Sequence, residues 1–126
     1  MLDDRYVAGL FDGEGCVHVQ PNCQMKIYLT QKDPEILYLL EKYYKGHVYK
    51  NGNVYHWQLS RKKDIEFFLK CIQPHSIIKR GQIELALRMF PLYRKPGIGQ
   101  YEKTPDHIWK MREEIRDEVK RCKLVS

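Results

Sequence analysis

Two acids, Asp12 and Glu14, sit among three glycines in the stretch YVAGLFDGEGCV, residues 6–17. Carboxylates are hard oxygen donors, and a divalent cation such as Mg²⁺ is their usual partner, together with water and a substrate phosphate. Paired ions of that kind on a nucleic-acid backbone activate water and stabilise the leaving oxygen. The glycines are a second oddity, because glycine costs a helix about 1 kcal/mol relative to alanine. Gly9 and Gly13 lie four apart in a helical pattern, where missing side chains let another backbone come close. The chain is short and carries one such helix, so a second copy of that helix is a natural partner. A two-fold axis makes the contact self-complementary and brings Glu14 beside its symmetry mate. Two close carboxylates repel unless a cation lies between them. The small-residue stripe offered to that contact is Ala8, Gly9, Asp12 and Gly13. Tight packing within one chain, with Asp12 as a cap and Glu14 as a surface acid, explains the same residues without chemistry. Spacing alone leaves both readings open.

The elements that must position these residues follow from the hydrophobic pattern. Asp3 or Asp4 can cap a first helix running to about Asp12, with Val7, Leu10 and Phe11 as its apolar stripe. Val17 and Val19 alternate with Cys16, His18 and Gln20; Met25, Ile27 and Leu29 alternate with Gln24, Lys26, Tyr28 and Thr30. A turn at Pro21, Asn22 and Cys23 makes these a hairpin with one apolar and one polar face. Asp33-Pro34 starts a helix whose core face is Ile36, Leu37, Leu39, Leu40 and Tyr43. Asn51-Gly52 is the strongest short hairpin signal in the chain, joining residues 48–50 to 54–60. Helices at about 63–72 and 77–93, a linker at 95–103 and a last helix from Thr104-Pro105 complete the order.

Two successive hairpins make one four-stranded antiparallel sheet with helices on one face. The other face carries His18, Gln20, Gln24, Lys26, Tyr28, Thr30, His56 and Gln58. Long donors and acceptors with few acids can read base edges in a major groove, although a solvated face is the plainer reading. The charge distribution favours an anionic partner. The 126 residues carry 22 Lys and Arg against 16 Asp and Glu, net +6. Residues 1–16 hold four acids and Arg5, net −3, so the remainder is net +9. A basic protein with one small acidic stretch is what a metal-using nucleic-acid enzyme needs. The cysteines at 16, 23, 71 and 122 are scattered and follow no leader, so free thiols in a reducing, intracellular compartment are expected. No apolar run approaches the roughly 20 residues of a membrane helix.

VAGLFDGEG, residues 7–15, resembles the signature of the LAGLIDADG homing endonucleases, with conservative changes at Val7 and Phe11. The order helix–hairpin–helix–hairpin–helices is also similar to that family's over most of the chain. The resemblance implies an α+β, homing-endonuclease-like fold in a single domain, residues 1–126. It further implies a homodimer through the motif helix, and a sheet lying in the major groove of a near-palindromic duplex. Glu14 is then the metal-binding acid, the Gly13 carbonyl a further metal contact, and Asp12 a residue holding the helix end. Mg²⁺ is the implied cofactor, with Mn²⁺ or Ca²⁺ able to occupy the same place, and no small-molecule cofactor is implied. LTQKD, residues 29–33, is similar to a strand end where a glutamine positions solvent, so Gln31 is implied as catalytic. QPHSIIKRGQ, residues 73–82, resembles a helix–Pro–helix corner whose lysine overhangs the active site, so Lys79 is implied too. A basic residue that the family places shortly after the glutamine falls on Glu35; Lys32 is its available substitute. The comparison directs Gln20, Gln24, Lys26, Tyr28, Thr30, Lys32, His47, Tyr49, Asn51, His56, Gln58 and Arg80 toward DNA. Lys50, Arg61, Lys62 and Lys63 are implied phosphate contacts, and a salt-dependent affinity follows.

The function implied is site-specific, Mg²⁺-dependent cleavage of both DNA strands across the minor groove, one strand per Glu14 centre. An RNA-binding intron maturase and a non-cleaving DNA-binding regulator are the alternatives, since a basic sheet serves each.

Overall fold

Helix α1 (Asp4–Glu14) begins where the Asp3 carboxylate accepts from the Arg5 backbone N–H at 2.8 Å, as an extended aspartate at a helix start does. It ends without a loop. Glu14 is its last residue and Gly15 is already the first of strand β1 (Gly15–Val19). The Phe11 ring explains the glycine there: a Cβ at position 15 would lie 2.1 Å from Phe11 Cδ1. Phe11 is buried and meets Phe68 edge-on at 5.5 Å between centroids. Helix and strand can therefore join directly only where no side chain intrudes.

The computed structural model describes residues 2–93 and 105–125, the side chains of 124 and 125 excepted. After β1 come β2 (Met25–Gln31), α2 (Glu35–Tyr44), β3 (His47–Asn51), β4 (Val54–Leu59), α3 (Lys62–Ile72), α4 (Arg80–Tyr93) and α5 (Asp106–Val125). The expected linker at 95–103 lies outside the described residues. The strands form one antiparallel sheet in the order β1-β2-β4-β3. Its helix-covered face is apolar: Val17, Val19, Ile27, Leu29, Trp57 and Leu59 are buried there. Successive strand residues point to opposite faces, so His18, Lys26, Tyr28, Thr30, His56 and Gln58 all turn away from the helices.

Three local expectations shift. Asn51 pairs with Val54, so the β3–β4 turn is Gly52-Asn53 rather than Asn51-Gly52. Gly52 takes φ +63 at its first central position, where a tight hairpin needs a glycine. On α2 the buried residues are Leu37, Leu40 and Tyr44, while Leu39 and Tyr43 are exposed. The Tyr44 hydroxyl, which donates to Asp4, and its ring, edge-on to Phe68, set that phase. Helix α4 starts at Arg80, three residues late, for a reason that belongs to the site.

Candidate active site

The small-residue stripe divides when the chain folds. Ala8 and Asp12 are buried in their own chain, at 0% and 8% exposure, and so are not available to a partner. Gly9 and Gly13 are exposed, and a Cβ added to either would meet nothing within 4 Å. Packing within one chain therefore does not account for these two glycines. With Tyr6, 58% exposed, they form an outward stripe on α1. Gly9→Ala tests this directly. The isolated chain should gain about 0.5–1 kcal/mol of helix stability, while any association of two copies through this stripe should weaken. Melting temperature and sedimentation, read across a concentration series, should move in opposite senses.

Asp12 caps a different helix from its own. Its carboxylate accepts from the Ser76 hydroxyl and from the backbone N–H groups of Ile77 (2.8 Å), Ile78 (3.2 Å) and Lys79 (3.1 Å). These donors converge just ahead of α4, where a negative charge is favoured. That contact orders residues 76–79 as a corner and delays the helix start to Arg80. Burial works against the charge of Asp12. The hydrogen bonds from Ser76, Ile77, Lys79 and Ile78 outweigh it, and the carboxyl titrates below its ordinary 3.8.

The same corner delivers Lys79. Its Nζ donates to the Asp12 carbonyl at 2.6 Å, at the end of α1 where backbone carbonyls lack helical partners. Glu14 is the next residue but one and is exposed. An acid at a helix C-terminus opposes the helix dipole, so Glu14 is not placed there for stability. A groove of about 340 Å³ opens beside it, lined by Glu14, Thr30, Gln31, Lys32 and Val54. Gln31, paired with Tyr55 at the sheet's end, thus shares this groove with the acid. The donor set suits a hard divalent cation: an exposed carboxylate, with the Gly13 carbonyl in the same last helical turn. Among the described residues no three His, Cys, Asp or Glu side chains gather into a metal-binding group within one chain.

The open sheet face continues from that groove. His56 sits between two cross-strand neighbours. Its Nδ1 lies 2.8 Å from the Thr30 hydroxyl, and its ring stacks on Tyr49 at 5.1 Å. His47 stacks on Tyr49 in turn at 6.0 Å. Gln58 donates to Ser60 at 2.8 Å, at the sheet's far end. Lys26, Tyr28 and His18 share this face, with Gln20 and Gln24 at the β1–β2 turn and Asn51 at the end of β3.

Some expected contacts lie elsewhere. Lys50 pairs with Tyr55 on the helix side of the sheet, its Nζ 5.7 Å from that ring. Lys62 places its Nζ 4.3 Å from the Tyr93 ring centroid, a cation–π contact under the sheet. Arg61 precedes α3 and Lys63 lies in its first turn, both exposed. Arg80 opens α4 beside Pro74, near the Asp12 corner rather than on the sheet. Two further features have no local sequence signal. The Asp12–Ser76 bond spans 64 residues, and α5 brings Lys120 and Lys123 near His18. Loss of hydration, then Lys123, Lys120 and Lys26, hold the His18 imidazole below its ordinary 6.5. Replacing both α5 lysines with glutamine should raise the His18 pKa; an NMR titration that finds it unmoved would contradict this placement.

Comparison with known proteins follows the same lines. The sequence profile described as "LAGLIDADG-like domain" matches residues 2–73, more than half of the chain. No curated protein matches it as a sequence relative. Among solved structures, the homing endonuclease I-CvuI, in complex with a DNA target, superposes with TM-score 0.79 at 16% identity, over 94% of this chain and 80% of that one. The homing endonuclease I-TnaI superposes with TM-score 0.75 at 19% identity, over 96% of this chain and 95% of that one. The LAGLIDADG homing endonuclease I-GzeII, in complex with its DNA target, gives TM-score 0.75 at 16% identity, over 92% of this chain but 44% of that one. At these identities the likeness establishes the fold, which is the expected four-stranded sheet with helices on one face. The α1 motif, the sheet it leads into and the matched profile together place this chain in the LAGLIDADG-like domain family.

Proposed function

We propose that this protein is a site-specific DNA endonuclease that works as a homodimer and uses a divalent metal ion. One observation carries the reading. Helix α1 presents unfilled glycines on its outer face and an exposed Glu14 at its end, directly where the open polar sheet begins. Closing two copies over Gly9 and Gly13 puts two Glu14 carboxylates beside one axis, each at the edge of its own base-reading face. The length of I-GzeII supports two such units in one nuclease, since this chain spans under half of it. That I-CvuI structures hold DNA targets in the presence of Mg or Ca supports the divalent ion.

In the cleavage reaction Glu14 and the Gly13 carbonyl would hold the ion, which supplies Lewis acidity and lowers the pKa of a bound water. Lys79 stands at the same helix end with its ammonium fixed by the Asp12 carbonyl. A positioned cation stabilises the negative charge that grows on the phosphate oxygens in the transition state. Gln31, in the groove beside Glu14, offers an amide that can both donate to and accept from the attacking water. The open face reads sequence through groups held by neighbours, His56 between Thr30 and Tyr49 foremost. Two-fold symmetry makes the preferred target near-palindromic.

Selection from a randomised duplex library in the presence of Mg²⁺ tests the whole reading, because it demands cutting and returns the target. Recovery of a near-palindromic site, cut on both strands by wild type, is the expected result. Stable binding to a selected site with no cutting in Mg²⁺ or Mn²⁺ would overturn the nuclease and leave a DNA-binding protein.

A further inference from the structure

Strand β1 is an edge of the sheet, and α5 passes beside it. Buried Ile115 and Val119 seat the helix in the core. Arg116 then donates to the Pro21 carbonyl at 2.8 Å, tying α5 to the β1–β2 turn. Further along, Lys123 Nζ lies 3.6 Å from Cys16 Sγ. Cys16 alternates with the buried Val17 and pairs with Tyr28, so its side chain belongs to the open face. A lysine from the last turn of α5 thus reaches round the edge of the sheet to the side away from the helices. Lys26, opposite His18 in the ladder, adds a further cation from β2, and Lys123, Lys120 and Lys26 all lie close enough to act on the His18 ring. After Glu118 the chain carries Lys120, Arg121 and Lys123 and no acid. Asp117 is already engaged by Arg116 at 3.1 Å.

Cations in the last turn of any helix suit its dipole, but that holds equally for side chains pointing into water. It does not account for Lys123 bending onto the open face, nor for the positive charge of Lys123, Lys120 and Lys26 gathering around His18. An anion placed among them offsets that charge. We propose that Lys120 and Lys123 of α5, with Lys26, form a clasp for the DNA backbone at the β1 edge, holding phosphates that flank the bases read by the sheet. This rests on the DNA-binding reading above. Phosphate contacts of this kind fix register without reading sequence. The C-terminal helix is then part of the interface as well as part of the core. His18, whose exposed ring lies among these cations, is left to read a base edge beside the gripped phosphate.

The salt dependence of binding measures the clasp. Each phosphate neutralised contributes about 0.9 to the slope of log K against log salt concentration. On the selected duplex, Lys120→Gln/Lys123→Gln removes the lysines of both protomers, and should lower that slope by about 2 to 4 and weaken binding roughly fifty- to a thousandfold at about 0.15 M salt. Base preference at each position should persist. Lys120→Gln alone, at an exposed side chain present once in each protomer, should lower the slope by about 2. Lys120→Arg/Lys123→Arg should keep the wild-type slope, since charge rather than packing is required. Lys110→Gln, early in α5, should leave it unchanged. An unaltered slope in the folded glutamine variants would overturn the clasp while DNA binding stands. Loss of binding in the arginine variant would overturn it in favour of packing. A wild type that binds no duplex would instead remove the DNA-binding reading, and the clasp with it.

Discussion

Glu14→Gln should leave the target duplex bound and uncut. The substitution keeps the shape of the side chain and removes the charge on which a hard cation depends. Lewis-acid stabilisation of a phosphoryl transition state is worth several kcal/mol, so strand cleavage should fall about 10³-fold or more, by transition-state arithmetic. Folding should barely change, because Glu14 is exposed and stands at the helix end where the dipole disfavours an acid. Dimerisation without metal should be at least as tight as in wild type, since the like-charge contact is gone. Quantified nicking and linearisation of a supercoiled plasmid carrying the selected site, beside a gel-shift titration, separates these effects. Wild-type cutting by Glu14→Gln would refute the assignment of Glu14.

Asp12→Asn should do the opposite, damaging the fold and the chemistry together. Asp12 is 8% exposed, and its carboxylate gathers the Ser76 hydroxyl and three backbone N–H groups. An amide presents its own N–H where some of these donors point. Hydrogen bonds to a charged acceptor contribute about 1.5–3 kcal/mol each, net of those to water, and the amide keeps one acceptor oxygen, so a loss of about 3 kcal/mol is expected in chemical denaturation. The 76–79 corner should loosen, and Lys79, held twice by Asp12, should leave its place. Cleavage should fall even at temperatures where the variant is folded. Acid titration gives an independent check. A carboxyl whose folded pKa is depressed contributes stability above its unfolded value, near 3.8, and loses that contribution as pH falls through the folded pKa. Wild type should therefore lose stability below about pH 4 more steeply than Asp12→Asn does.

These two acids, two residues apart, show what a sequence can and cannot disclose. The position of Glu14 was legible because it is local, while the metal-binding role proposed for it came through the family resemblance. A carboxylate at the end of a glycine-bearing helix, ahead of a strand, needs nothing distant to declare itself. The polar sheet face was legible for the same reason, since alternation along one strand sorts its side chains by face. Gln31 and Lys79 could be named only through resemblance, because neither has a spacing that demands chemistry. Asp12 was legible as structural, but its partners were not. Its bond to Ser76 closes 64 residues of chain, and no periodicity encodes a contact of that separation.

Element types and their order, the apolar and polar faces of the sheet, the acid and its neighbouring glycines were all determined by the sequence alone. Each depends on short-range geometry that repeats every two or 3.6 residues. The tertiary structure decided which way the small-residue stripe looks. Burial of Val7, Ala8, Phe11 and Asp12 turns Gly9 and Gly13 outward, so the two glycines face open space and the acid between them caps a helix beginning at residue 80. It also decided that Lys50 and Lys62 lie against Tyr55 and Tyr93, while Lys123 crosses to the open face at Cys16. A long, flexible side chain is placed by whichever elements surround it. Those elements are brought together by burial of the core, which acts on the whole chain at once.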